Sequence, residues 1–196
     1  MPPNCTTRRD EILTIAIDLF ARRGYHGVSM DDIGSAVGVT GPALYHHFAG
    51  KEAMLAAAFT PICKHLRDEG RRRVAKSPDA ESALRALVDF HVSFAFGSPA
   101  VLSLYLHEID RLPPETRKPV RRLQRQYVEE WVQVLTKVRP EWSEEEARAA
   151  AHATFGLLNS THYLPGDLDE MAAASLLTKL ALNALSPLSK AIVDIP

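Results

Sequence analysis

Apolar residues recur every three or four positions along most of the chain, which is the spacing of one face of an α-helix. Strand-like alternation is missing from the sequence, and the usual hairpin turns Asn-Gly and Asp-Gly do not occur in it. Glycines and prolines, from Gly24 to Pro140 and beyond, divide the chain into about nine helical segments. The pattern therefore predicts an all-α protein.

The N-terminal quarter predicts three short helices. The first covers Thr7 to Arg23, with one apolar stripe. The second begins at Ser29, which is followed three residues later by a carboxylate in the spacing of a capping box, and it ends at Gly38. The third has Thr40 as its N-cap and Pro42 in its first turn. Two short helices joined by a glycine-containing turn are the helix-turn-helix pattern, whose second helix enters the DNA major groove.

The third helix carries an unusual run of rings. Leu44 and Phe48 are one helical turn apart and are predicted to face the core, so that Tyr45 and His46 point outward and His47 lies at the border. An outward tyrosine can touch a phosphate or a thymine methyl group, and histidine can donate to phosphate. Adjacent histidines diverge by about 100° around a helix, which disfavours a metal site, whereas a packed, hydrogen-bonded His47 stays an equal alternative.

Two further features favour DNA at this helix. Gly41 and Pro42 have small side chains or none, so that base edges can approach the start of the third helix closely. Lys51 begins a fourth helix, where its ammonium and the first backbone amides are predicted to contact phosphate. That helix extends towards Ala75, and Pro61 within it is expected to kink or split it.

The charge balance gives no support for DNA binding. The chain has a net charge of -1 and a pI near 6.7. Residues 1–60 hold five Lys and Arg against six Asp and Glu, so that counting alone would not predict a DNA-binding segment. Basic side chains would have to gather on one face of the fold.

Other classes of protein are disfavoured. The N-terminus has no signal-peptide core, no apolar run is long enough to span a bilayer, and Cys5 and Cys63 have no metal-ligand spacing, which predicts a cytoplasmic protein without membrane, metal or cofactor. GxSxG, Gly-rich phosphate-loop, HExxH and catalytic Cys-His patterns are missing, so that an enzyme is not predicted. His107 with Glu108 is a poorly supported acid–base pair.

The second half of the chain predicts a compartment rich in aromatic rings. Three apolar helices run roughly over 80–96, 100–111 and 115–138. Plain core is the simpler interpretation of each ring, but the group also suits the wall of an apolar pocket, and the polar residues in it are either satisfied core groups or ligand anchors. The candidate ligand-binding residues are His91, Phe94, Tyr105, Tyr127, Trp131, Phe155 and Asn159.

The segments "VSMDDIGSAVGV" and "ALYHHFAGKEAML" closely resemble the scanning and recognition helices of TetR/AcrR-family transcriptional regulators, within a match from residue 8 to about 56. The resemblance implies a DNA-binding domain over 1–55 and an effector-binding and dimerisation domain over 56–196, in an Ω-shaped homodimer. Gly41 departs from the Lys or Arg frequent in the family, and Ala43 stands where Thr is common. The resemblance implies DNA contacts by Ser29, Thr40, Tyr45, His46, His47 and Lys51.

The last two long helices are predicted over 144–163 and 167–185 and are rich in alanine, which permits close helix packing. They resemble the half of a four-helix dimer interface that the family uses, and intramolecular packing is the alternative. The expected function is that of a repressor, which an apolar or amphipathic small molecule releases from a pseudo-palindromic operator. The competing interpretation is a helical small-molecule carrier that does not bind DNA.

Overall fold

The computed structural model describes residues 7–164 and 168–186. Within these residues the chain forms nine α-helices, two short 3₁₀ helices and no β-strand, which confirms the predicted all-α class. The α-helices are α1 (Arg8–Arg23), α2 (Met30–Val37), α3 (Gly41–Tyr45), α4 (Lys51–Lys76), α5 (Ala80–Gly97), α6 (Pro99–Glu108), α7 (Pro114–Val138), α8 (Glu144–Leu158) and α9 (Glu170–Leu185). The 3₁₀ helices are Ile109–Arg111 and Ser160–Tyr163.

The caps of the first helices agree with the sequence pattern. Thr7 and Ser29 each open a helix with a complete capping box, and Gly38 ends α2 in the left-handed conformation, at a φ of 71°. Hydrogen bonds from the side chain and backbone of Ser29 lower the pKa of Asp32 below its ordinary value. The boundaries of α2 are therefore set by local chemistry.

Helix α4 is continuous through Pro61, so the predicted split of this helix is wrong. Proline removes one backbone N–H and leaves one carbonyl of the preceding turn without its helical partner. Pro61 lies on an exposed part of the helix, where water can bind to that carbonyl. The predicted kink at Pro61 stays a prediction.

The later helices differ from the prediction mainly at their ends. The segments predicted as helix over 100–111 and 144–163 each finish in a 3₁₀ turn. The last helix begins at Glu170, with Asp169 as a side-chain N-cap, and Asp167, its predicted start, lies outside the described residues. Cys5 also lies outside them.

The described residues fall into two compact units. The first contains the described part of Met1–Lys64 together with Pro99–Arg122, so that α6 joins the helix-turn-helix segment and packs against α1. Its buried core includes Ile12, Phe20 and Ile33. The predicted domain boundary after residue 55 stays a prediction, because these units divide the chain differently.

The second unit contains His65–Ser98 and the described part of Leu123–Pro196. Helix α5 packs against α9 and α8 around a core that includes Leu87 and Trp131. No single helix in the described part of the chain is long and apolar enough to cross a membrane. One bent pair, Ala80–Gly97 with Pro99–Arg111, meets that criterion by length and composition alone.

Replacement of Ser29 by Ala removes the hydroxyl that caps α2, a helix of eight residues. Few other groups can satisfy its first amides, so we expect the free energy of unfolding to fall by about 1 kcal/mol, measured by urea titration. Ser35→Ala makes the same chemical change at an exposed position inside α2 and should alter stability by less than about 0.5 kcal/mol. Equal losses in the two variants would contradict the capping role.

Candidate nucleic-acid interface and ligand site

The turn between α2 and α3 is held tightly. The backbone N–H of Val39 donates to the carbonyl of Gly34 over 2.9 Å. A β-carbon at Gly34 would lie only 2.9 Å from the carbonyl oxygen of Val39, so the absence of a side chain lets the turn lie directly on α2. This contact fixes where α3 begins.

Helix α3 is short and exposes the side that the sequence predicted. Leu44 and Phe48 are buried, whereas Tyr45 is 55% exposed and His46 is exposed as well. Helix α3 ends at Tyr45, so that His46 and His47 lie in the turn after it and not on a longer helix as predicted, but His47 is half-buried, as expected. A large exposed ring held in place by two buried neighbours is a feature of a contact surface rather than of a core.

The start of α3 is also open. Thr40 and Pro42 are exposed, and the Thr40 side chain makes no capping hydrogen bond with the helix. Its hydroxyl is therefore available to an external partner. Ser29 differs, because its hydroxyl is engaged with Asp32 in the α2 cap.

Lys51 has partners that the sequence did not suggest. Its ammonium donates to the carbonyl oxygens of Tyr25 and Val28, over 2.8 and 2.7 Å, and lies 4.4 Å from the centre of the Tyr25 ring. The Tyr25 hydroxyl in turn donates to Glu52 over 3.0 Å, and burial with this carboxylate raises the pKa of Tyr25. Two of the three ammonium donors of Lys51 are thus used inside the fold, which leaves at most one for a phosphate.

Two arginines of α1 also hold the helix-turn-helix segment, and sequence reasoning missed them. Arg8 donates to the carbonyl of Val37 at the end of α2. The Arg9 guanidinium lies 4.3 Å from the centre of the Phe48 ring. The only signal in the sequence was a pair of cations at a helix start, where the helix dipole disfavours them.

The charge of the first unit differs from that of residues 1–60. With Pro99–Arg122 included, the unit contains eleven Lys and Arg against nine Asp and Glu, a net charge of +2. The acidic balance of the N-terminal segment is therefore reversed by a segment distant in sequence, although the excess of cations is small.

A polar group lies inside the second unit. His91 is 4% exposed, its Nδ1 lies 3.2 Å from the Tyr127 hydroxyl, and its Nε2 lies 3.0 Å from Oδ1 of Asn159. Because the amide oxygen only accepts, Nε2 carries the proton and Nδ1 accepts from Tyr127. Burial lowers the pKa of His91 to about 4, so the imidazole is neutral at physiological pH.

Aromatic rings surround this histidine. Phe155 and Tyr127 stack on the imidazole, with ring centres 4.9 and 5.9 Å from it, and Trp131 and Phe94 pack edge-on at 6.1 and 6.0 Å. The Trp131 indole N–H is buried and makes no well-aligned hydrogen bond, although the Tyr127 hydroxyl is near it. We call His91, Phe94, Tyr127, Trp131, Phe155 and Asn159 the His91 cluster.

The cluster unites six of the seven candidate ligand-binding residues. Tyr105 is the exception, because it belongs to the first unit and packs edge-on against Phe59. Both ring nitrogens of His91 have partners, which agrees with a satisfied core histidine in this structure and leaves its role as a ligand anchor a prediction. Within the described residues, no group of three or more His, Cys, Asp or Glu side chains could hold a metal ion.

Helix α9 has two apolar faces. Ala173, Leu177 and Ala181 are buried in the second unit, which is the intramolecular packing considered above. Leu176 and Leu180, four residues apart, each remain 45% exposed. An apolar face thus remains on α9 after internal packing is complete.

Comparison with known proteins identifies the family. Residues 12–58 match the model for bacterial regulatory proteins of the tetR family, and residues 77–185 match the model for the tetracyclin repressor-like C-terminal domain. A TetR-family transcriptional regulator from Bordetella parapertussis 12822 has a similar structure, with a TM-score of 0.80, 27% identity, and coverage of 89% of this chain and 94% of that chain.

Two curated relatives are similar over shorter segments. The HTH-type transcriptional repressor KstR2 of Rhodococcus jostii is 33% identical over 65% of this chain and 63% of its own length. The HTH-type transcriptional activator FasR of Mycolicibacterium smegmatis is 33% identical over 44% of this chain and 40% of its own length. The chain therefore spans less than two thirds of each of these relatives. The model for the C-terminal domain alone matches more than half of the chain. This protein therefore belongs to the TetR family of bacterial regulatory proteins.

Proposed function

We propose that this protein is a ligand-responsive repressor that binds a pseudo-palindromic operator as a homodimer and leaves it when a small molecule binds. The observation that carries the proposal is the exposed face of α3, where Tyr45 and His46 are held outward by the burial of Leu44 and Phe48. A carrier without DNA contacts has no need for such a face.

The proposed DNA contacts are of two kinds. Thr40, Tyr45 and His46 have exposed side chains and would reach base edges or phosphates, with Gly41 and Pro42 permitting close approach. Ser29, His47 and Lys51 are the other candidates, and Lys51 acts chiefly by positioning, since its ammonium ties the α1–α2 connection to the start of α4. The small excess of cations in this unit implies that short-range contacts contribute much of the affinity.

The proposed homodimer uses α8 and α9. The exposed Leu176 and Leu180 form an apolar row on α9, and Met171 at its start is 81% exposed. Ala149 and Ala153 give α8 an exposed face of small side chains. A twofold arrangement of these faces would present two recognition helices to half-sites about 34–36 Å apart.

The proposed effector binds next to the His91 cluster, and the part of the molecule that contacts the cluster is uncharged. The imidazole is neutral, the pKa of Tyr127 is raised by burial, and no charged group shifts the pKa of His91. The charge of Arg73 acts on Tyr127, but the Arg73 guanidinium is paired with Glu69. A buried anion or cation beside His91 would therefore lack a free counter-charge, which is costly. The buried indole N–H of Trp131 suits a carbonyl or hydroxyl oxygen on an otherwise apolar or amphipathic molecule.

Helix α4 is the proposed link between effector and DNA. Gly70 of α4 lies against the Tyr127 ring, since a β-carbon there would be 2.6 Å from Cε2. The same helix begins at Lys51, which holds the helix-turn-helix segment. A displacement of the Tyr127 ring would therefore move α4 directly, because the ring lies against the helix backbone at Gly70. Pro61 lies between Lys51 and Gly70 and is the proposed pivot of this movement.

The direction of regulation is part of the proposal. One curated relative is a repressor and another is an activator. Repression is proposed because a repressor needs only to occupy its operator and to leave it when the effector binds, without contact with another protein. The cytoplasmic location predicted from the sequence belongs to the same proposal, since the operator lies on the chromosome.

Selection of genomic DNA fragments by the purified protein should enrich one pseudo-palindrome, with binding that weakens as salt is raised. Tyr45→Ala should lower affinity for that sequence at least about tenfold, because it removes a ring from the centre of the contact face. Tyr163→Ala removes another exposed ring, from the second unit, and should leave affinity unchanged. A folded protein that enriches nothing at low salt would support the carrier instead.

Replacement of Lys51 by Met should lower the free energy of unfolding by about 2 kcal/mol, because two carbonyl groups lose a charged donor. Operator affinity should fall with it, while the slope of log K against log salt stays the same. A lost phosphate contact would instead reduce that slope by about 0.9. Lys64→Met, at an exposed position of α4, should leave thermal stability and affinity unchanged.

Replacement of Gly70 by Ala should displace the Tyr127 ring and weaken its hydrogen bond to His91, at a cost of about 1–3 kcal/mol in unfolding free energy. Urea titration measures the loss, and tryptophan fluorescence in a Trp142→Phe background, where Trp131 is the remaining indole, reports whether the cluster has moved. Gly97→Ala adds the same methyl group at a helix position where no other atom lies within 4 Å of the new β-carbon. This variant should be neutral or slightly stabilising. An unchanged cluster in Gly70→Ala would remove Tyr127 from the proposed link.

A further inference from the structure

A carboxylate lies at the start of the recognition helix. Asp31 is an exposed residue in the first turn of α2, and its Oδ1 lies so close to Gly41 that a β-carbon on Gly41 would be 2.5 Å from it. Gly41 is the first residue of α3, the end of the helix that enters the major groove. The Asp31 carboxylate is therefore at the edge of the surface that faces DNA in the proposed function.

This carboxylate has no structural partner. Its neighbour Asp32 closes the α2 capping box with Ser29, whereas the Asp31 side chain makes no hydrogen bond or ion pair with any residue in the described ranges. Its only evident stabilising role is with the N-terminal dipole of α2, an effect that any acid in this turn supplies. Two acceptor oxygens thus remain free beside the recognition helix.

Gly41 makes the space that Asp31 occupies. A residue with a side chain at position 41 would displace the carboxylate, because its β-carbon would come closer to Oδ1 than non-bonded atoms approach. A lysine or arginine at this position would both displace the carboxylate and neutralise it. The missing side chain at Gly41 thus leaves room for the Asp31 carboxylate at the start of α3.

We propose that Asp31 is a specificity-determining residue that accepts a hydrogen bond from the N4 amino group of a cytosine in each operator half-site. The major-groove edge of cytosine itself offers only a donor, the N4 amino group, whereas adenine has an acceptor nitrogen next to its amino group. Guanine and thymine offer acceptor oxygens that would repel a carboxylate. A carboxylate near phosphates lowers affinity for all sequences, so its net effect is discrimination rather than tighter binding. This inference rests on the proposed function.

The test compares base preferences of four full-length proteins on a randomised duplex pool and on single-base variants of the operator selected by the wild type. The proteins are the wild type, Asp31→Asn, Gly41→Ala and Asp18→Asn. Asp18 is an exposed acid of α1, so that its replacement controls for the loss of one negative charge. Thermal unfolding of each protein shows separately whether α2 has been destabilised.

We expect Asp31→Asn to lose about tenfold of its preference for cytosine at one symmetry-related pair of positions, with other positions unchanged. Gly41→Ala should weaken preference at the same pair, because it moves the carboxylate without removing it. Asp18→Asn should leave every base preference unchanged. The same base preferences in the wild type and Asp31→Asn, with only a general gain in affinity, would overturn the inference alone. A wild-type protein that selects no sequence would overturn the proposed function and this inference together.

Discussion

Burial of Leu44 and Phe48 is the interaction on which the proposed DNA-binding surface depends. A helix of five residues cannot be stable by propensity alone, so its orientation is set by what it buries. The two apolar side chains fix the inner face, and their burial decides that Tyr45 and His46 are exposed. The close packing of the turn at Gly34 fixes the position of the helix along its axis.

The surroundings of α3 are held by interactions between charges and carbonyl oxygens or rings rather than by ion pairs. Arg8 binds the end of α2, Arg9 lies on Phe48, and Lys51 binds two carbonyl groups of the α1–α2 connection. Three cationic side chains of a unit with little net charge thereby stabilise its fold. In the proposed function, base readout then falls to uncharged side chains and, as we infer, to one carboxylate, an arrangement that favours discrimination over raw affinity.

The second unit follows a different rule. His91 is buried, and a buried imidazole is stable only when both nitrogens have partners and the ring is uncharged. Tyr127 and Asn159 provide these partners, and the rings of Phe155 and Trp131 exclude water around them. In the proposed function, the same neutrality that stabilises the cluster would restrict the chemistry of the effector, so that stability and specificity would have one physical origin.

The sequence by itself determined the elements, because capping boxes, left-handed glycines and 3.6-residue periodicity are local. The start of α2 at Ser29, its end at Gly38, and the inward Leu44 and Phe48 all followed from neighbouring residues. At Pro61 local rules allowed either a kink or a split, and α4 is not split there.

Only the tertiary structure decided which distant residues meet. It brought Asn159 to His91, assigned Tyr105 to the other unit, and gave Lys51 internal partners. It also placed Asp31 against Gly41, a contact between residues ten apart across a turn whose geometry no periodicity specifies. Such contacts depend on how helices pack, and packing is a property of the whole core rather than of any segment.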